Sequence, residues 1–240
     1  MARLVSKRRE EHFCTHREVH KEQIMVQGTL TGRKVAFLAT DGVQEQELAR
    51  PWEAVLEAGG TAELVSIKSG EIRSVLEGKE GRSFPVDKLV TDVTYRDYDG
   101  LVIPGGVKNP DTLRMNEDAV EFVRNFMEHD GPVAAICHGP WLLVEADTVR
   151  GRTLTSYPSL KTDIQNAGGI WVDRQVEIDQ RLVTSRTPKD LNAFCDALVT
   201  ELAEAIAERS LDNMVEQSFP ASDPLPGPTA IGGSSLLQSQ

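Results

Sequence analysis

The feature that most limits this 240-residue chain is the alternation of short apolar runs with longer amphipathic stretches. RKVAFLAT at 33–40 reads as a strand buried on both faces, QEQELARPWEAVLEAGG at 44–60 as a helix stopped by glycines, and TAELVSI at 61–67 as a second strand. The order then repeats. GLVIPGG at 100–106 is a strand running into a glycine turn, EDAVEFVRNFMEHDG at 117–131 a helix, and VAAI at 133–136 another strand. SLKTDIQNAGG at 159–169 predicts a helix, VEIDQRLVTS at 176–185 a hairpin around Asp179 and Gln180, and PKDLNAFCDALVTELAEAIAE at 188–208 a closing helix. Continuous apolar strands separated by helices require a mainly parallel sheet covered on both faces, an α/β fold. Ligands of such sheets gather beyond the carboxyl ends of the strands, which leaves the loops 41–47, 104–111 and 137–141 as candidates.

The outer segments lack this pattern. Residues 1–32, with Lys7-Arg8-Arg9 and three histidines, are expected to form a polar, flexible arm; Met25 leaves open that the start is assigned too early. Residues 212–240 hold four prolines, five serines and three glycines and are expected to be a disordered tail, which places the folded domain at 33–211. A net charge of −11 repels phosphate backbones and argues against a nucleic-acid partner. The apolar runs are far shorter than the ~18 residues of a membrane span, and no apolar segment follows the basic start, so no membrane partner and a cytoplasmic location are expected. Cys14, Cys137 and Cys195 make an odd number without tight spacing, which suits a reducing compartment.

Cys137 ends a buried strand, and His138-Gly139-Pro140 then opens a helix. A sharp strand-to-helix turn of this kind lifts a side chain above the sheet, and a helix amino end favours thiolate over thiol, so a depressed Cys137 pKa is expected. The competing reading is a small core thiol. A core position has no need of an adjacent polar histidine and a helix-opening Gly-Pro, so the order favours a nucleophile. Cys195, by contrast, shares a helical stripe with Leu191, Phe194, Leu198 and Leu202 and reads as core. Cys14 lies among His12, His16 and His20, spaced to share a helix face able to bind zinc or copper; no pocket is evident for them, and no metal site is assigned.

No histidine follows His138. That excludes a late catalytic histidine, and with it ordinary glutamine amidotransferase chemistry and the Ser-Asp-His order of α/β-hydrolases. His138 is therefore the candidate base, with a pocket-lining role as the alternative. Two loops supply carboxylates to orient it, Asp41, Glu45 and Glu47 in the first and Asp111 in the second, each also readable as a helix amino-terminal charge.

These segments resemble the PfpI-type branch of the superfamily that joins intracellular cysteine peptidases with the parkinsonism-associated deglycase. The resemblance covers about 33–208 through KVAFLATDGVQEQEL, GLVIPGG, LRMNEDAVEFVR, VAAICHGPWLL, RGRTLTSYPSLKTDIQNAG, WVD and LVTSRTPKDL. It implies a flavodoxin-like three-layer sandwich of the class I glutamine amidotransferase-like type, a homodimer or larger homo-oligomer, no cofactor, and a reactive Cys137. It further implies that Glu47 hydrogen-bonds the sulfur, that Gly105, Gly106 and the His138 amide form an oxyanion site, that His138 is the base, and that Tyr157 lines the pocket. In peptidase-like members a glutamate reaches the histidine from a neighbouring subunit. Here Asp111 stands in that place, in a loop one residue longer, and Gln44 replaces a glutamate found in some members. The function implied is a cysteine-dependent hydrolase or lyase acting on small reactive carbonyls or their protein adducts in stress defence. The alternatives are an intracellular cysteine peptidase and a redox sensor or holdase that does not turn over.

Overall fold

The computed structural model describes residues 28–218. In chain order its strands are β1 (Lys34–Leu38), β2 (Val43–Gln44), β3 (Thr61–Ser66), β4 (Glu71–Leu76), β5 (Lys79–Pro85), β6 (Lys88–Leu89), β7 (Gly100–Ile103), β8 (Val133–Ile136), β9 (Thr153–Leu154), β10 (Ile170–Trp171), β11 (Val176–Asp179) and β12 (Leu182–Ser185). The α-helices are α1 (Glu45–Glu57), α2 (Lys108–Leu113), α3 (Glu117–Glu128), α4 (Pro140–Glu145), α5 (Lys161–Asn166) and α6 (Leu191–Ser218). The main sheet has the order β11-β12-β8-β7-β1-β3-β6, and only β11 runs antiparallel, in the hairpin whose turn residue Gln180 sits at φ 57°. The α/β class with a mainly parallel sheet is thus observed.

Alternation along each central strand divides the core into two faces. Val35 and Phe37 of β1 pack with Val55 of α1 and Leu198 and Leu202 of α6, while Ala36 and Leu38 pack with Phe122 and Phe126 of α3 and Leu142 of α4. Helices on both sides of one sheet make the three layers of a flavodoxin-like sandwich. Each fully buried Phe or Leu contributes roughly 1.5–3 kcal/mol, so this double face carries the stability of the fold. α1 stops at Gly59, whose φ of 85° lets the chain reverse, with Gly60 N–H donating to the Val55 carbonyl at 2.9 Å.

Three features differ from the sequence reading. Residues 71–85 form the β4–β5 hairpin, which joins β2 in a separate three-stranded sheet. The closing helix continues to Ser218, ten residues past its expected end at 208. Leu30, assigned to the flexible arm, is fully buried, and its N–H donates to the Ala58 carbonyl at 2.9 Å.

Candidate active site

The carboxyl ends of β1, β7 and β8 converge at the centre of the sheet, where strand pairing sets their loops side by side. Cys137 leaves β8 with φ at 62°, a left-handed conformation that is rare for a side-chain-bearing residue and is a form of strain held by surrounding structure. The Cys137 N–H donates to the Ser185 carbonyl at 3.0 Å, and the Cys137 carbonyl accepts from the Tyr157 N–H at 2.8 Å. The elbow is thereby tied on both sides. Gly139 is required there, because a Cβ would come within 2.5 Å of the Ile103 carbonyl oxygen.

Glu47 enters from the first turn of α1 and is fully buried. Its Oε2 accepts the Gly105 N–H at 3.0 Å, its carboxyl faces the Cys137 thiol, and its Oε1 has no hydrogen-bond partner among the described residues. Burial, only partly offset by the hydrogen bonds from Cys137, Gly105 and Gly106, pushes the Glu47 carboxyl up to about 7. A Cβ on Gly105 would lie 2.5 Å from Glu47 Oε2 and 2.7 Å from the Cys137 Cβ, so only glycine lets the loop after β7 pass between them. Asn109 staples this loop. Its side-chain amide donates to the Pro104 and Gly105 carbonyls at 2.9 and 3.1 Å, and its oxygen accepts the Thr40 N–H at 2.7 Å.

Two expectations need correction. Burial and the facing Glu47 raise the Cys137 pKa, where a depressed value was expected; the amides of Gly106 and His138 pull the other way without overcoming them. α4 has six residues, and so short a helix supplies too weak a field to outweigh desolvation. The second correction concerns Gly105, whose single amide hydrogen is directed to Glu47; the Gly106 amide lies between Glu47 and the sulfur, and the His138 amide faces the sulfur.

His138 lies beside the thiol. Its Nδ1 is 3.2 Å from Cys137 Sγ, and its ring stacks on Tyr157 with centroids 4.7 Å apart and meets the Trp141 ring edge at 5.2 Å. Burial lowers its pKa, so the imidazole is neutral at physiological pH. Tyr157 is 41% exposed and so is not a core aromatic. Asp111 does not touch His138 within this chain. It forms an ion pair with Arg114 through contacts of 3.0 and 2.6 Å, and Arg114 in turn lies over the Trp141 ring. Asp41 is held by Lys68 and the Arg73 N–H, and Glu45 by Ser74 and the Arg82 N–H, so both brace the β4–β5 hairpin.

Sequence reasoning missed Asn109, Trp141, Arg114 and Ser159, whose Oγ is 3.3 Å from His138 Nε2. None carries a motif that can be read locally. Cys195 is buried beside the core as expected, and burial, with smaller opposing charge effects, lifts its thiol to about 12. His129 stacks on Tyr95, away from Cys137. Among the described residues no cluster of His, Cys, Asp or Glu is arranged to hold a metal, and no helix is long and apolar enough to cross a membrane. Cys14, His12, His16 and His20 lie outside the described residues.

Residues 33–201, the span holding the elbow, Glu47 and the glycine loop, match the DJ-1/PfpI family. The chain belongs to that family. It is 40% identical over 162 residues to the Bacillus subtilis protein named "Putative cysteine protease YraA", a match covering 68% of this chain and 94% of that one. To "Protein/nucleic acid deglycase 2" of Escherichia coli it is 40% identical over 164 residues, covering 68% and 93%. Drosophila melanogaster DJ-1beta shares the fold, with a TM-score of 0.66 at 24% identity over 76% of this chain and 97% of that one.

Proposed function

We propose that this DJ-1/PfpI protein is an enzyme in which Cys137 attacks a small reactive carbonyl or its protein adduct, the activity class named for its deglycase relatives. One observation carries the reading: the strained elbow holds Sγ between a neutral imidazole nitrogen at 3.2 Å and a buried carboxyl poised near neutrality. The thiol proton passes to His138 Nδ1, and the sulfur adds to the carbonyl carbon. The new oxyanion receives the Gly106 and His138 amides, which already face the sulfur. With a hemiaminal adduct of an amine, the C–N bond breaks as the C–S bond forms at the same carbon, His138 gives the thiol proton to the departing nitrogen, and the free amine leaves behind the same kind of hemithioacetal as a free oxoaldehyde forms. With a free oxoaldehyde the product is a hemithioacetal, which a proton shift converts to a thioester and water then cleaves. Glu47, whose carboxyl burial pushes up to about 7, gives or takes the proton in that shift.

Peptidase action ranks second because it calls for an acid on His138, and Asp111 would have to give up Arg114 to serve a neighbouring subunit. The redox-sensor reading rests on Glu47 Oε1, whose free position suits a hydrogen bond to an oxidised sulfur. Assembly into a homo-oligomer is supported by Val107 and Met115, apolar side chains exposed at 59% and 77% on either end of the loop and helix that carry Asp111.

The test is turnover of methylglyoxal, a glycated peptide and unfolded casein by wild type and Cys137→Ser. Cysteine-dependent turnover of the first two is expected. Casein cleavage alone would establish the peptidase reading, and no turnover together with a peroxide-triggered gain of holdase activity would establish the sensor.

A further inference from the structure

We propose that Ser159 is the positioning residue for His138, fixing the tautomer in which Nδ1 is free to take the Cys137 proton. The inference deepens the proposed function and rests on its pairing of Cys137 with His138. A neutral imidazole carries one N–H, and the nitrogen without it is the base. For Nδ1 to accept from Sγ at 3.2 Å, the proton must sit on Nε2, where it needs an acceptor. Ser159 Oγ stands 3.3 Å from Nε2 and can accept it. The same hydrogen bond persists after transfer, when the imidazolium carries hydrogens on both nitrogens and Sγ carries the negative charge.

The charged groups around the ring are committed elsewhere. Asp111 holds Arg114, Arg114 covers one side of Trp141, Asp163 accepts the Trp141 indole N–H at 2.8 Å, and Glu47 lies on the sulfur side. Ser159 belongs to the 3₁₀ turn Pro158–Leu160, and the preceding Tyr157 both stacks on the imidazole and donates its N–H to the Cys137 carbonyl. Elbow and turn are therefore locked in register, and the hydroxyl is delivered to Nε2 from the same element that clamps the ring. A hydroxyl supports an imidazolium less strongly than a carboxylate does, which fits addition to an activated carbonyl better than amide cleavage.

Ser159→Ala and Ser159→Thr, each in the full chain, test this through the ¹⁵N side-chain signals of His138 and the alkylation of Cys137 by iodoacetamide across pH 6–9. Neither readout depends on the substrate, so both remain informative if no carbonyl is turned over. Wild type should show the Nε2–H form. Alanine should mix in the Nδ1–H form and slow alkylation near pH 7 by roughly fivefold, the factor that one neutral hydrogen bond supplies. Threonine should restore both. An Nδ1–H signal in wild type, or unchanged tautomer and alkylation in Ser159→Ala, would overturn the assignment, as would a tautomer shift in Asp111→Asn with none in Ser159→Ala.

Discussion

Replacing Glu47 with glutamine keeps an oxygen for the Gly105 N–H and removes a titrating group from a fully buried position. The carboxyl is pushed from its ordinary 4.5 to about 7, chiefly by burial. Between those two values the folded protein retains a proton that the unfolded chain has released, so stability falls as pH rises through the window. At ~1.4 kcal/mol per pH unit the total is about 3 kcal/mol, most of it lost between pH 5 and pH 8. Glutamine has no such proton. Urea unfolding of both proteins at half-unit steps should therefore show Glu47→Gln gaining about 2–3 kcal/mol relative to wild type from pH 5 to pH 8. The same pair in a Cys137→Ser background separates the carboxyl from the coupled thiol. A stability difference that stays flat within ~0.5 kcal/mol across this range would show that Glu47 is ionised throughout, and its role as proton carrier at the Cys137 site would fall with it.

Gly105→Ala places a methyl within 2.5 Å of Glu47 Oε2 and 2.8 Å of the Ile136 carbonyl oxygen, and should cost ~1–3 kcal/mol and at least tenfold in kcat; near-normal turnover would mean the loop can move. Asp111→Asn breaks an ion pair whose aspartate is half exposed, so less than ~1 kcal/mol of stability is expected to change, and kcat should stay within about twofold. A large kcat loss with unchanged KM would make Asp111 the acid that acts across a subunit interface. A chain cut to residues 28–218 should melt within a few degrees of full length, whereas removing 28–32 as well should cost about 2 kcal/mol because Leu30 is fully buried against the α1 terminus.

The fold was legible where one physical signal dominated. VAFL, GLVI and VAAI are buried on both faces, so apolar runs alone located the central strands, and glycine stops located the helix ends. The β4–β5 hairpin escaped because it lies apart from the main sheet and much of its surface is wet: KEGRSFP contains no fully buried residue, and periodicity fades without a buried face. Leu30 was lost for a similar reason, since a single apolar residue in a polar turn has no pattern.

The elbow could be read because its parts are contiguous: strand, cysteine, histidine, glycine and proline follow one another in the chain. The rest of the site is assembled from distance. Glu47 meets Gly105 across 58 residues and His138 meets Ser159 across 21, so a glutamate in an amphipathic helix looks like a surface charge until the sheet brings the loops of β1 and β7 together. The direction of the Cys137 shift was misjudged for the same reason. The helix amino end is a local feature visible in Gly-Pro, whereas the opposing burial and carboxylate come from other segments. Their combined effect holds the Cys137 pKa up and the His138 pKa down, so the resting site is a neutral thiol beside a neutral imidazole, with the Glu47 carboxyl pushed up to about 7. Such a site stores little charge in a dry environment and develops it only as a carbonyl arrives, when the amides of Gly106 and His138 gain an oxyanion to bind. Reactivity toward a carbonyl, which supplies its own charge acceptor, should therefore exceed what simple alkylation of Cys137 implies.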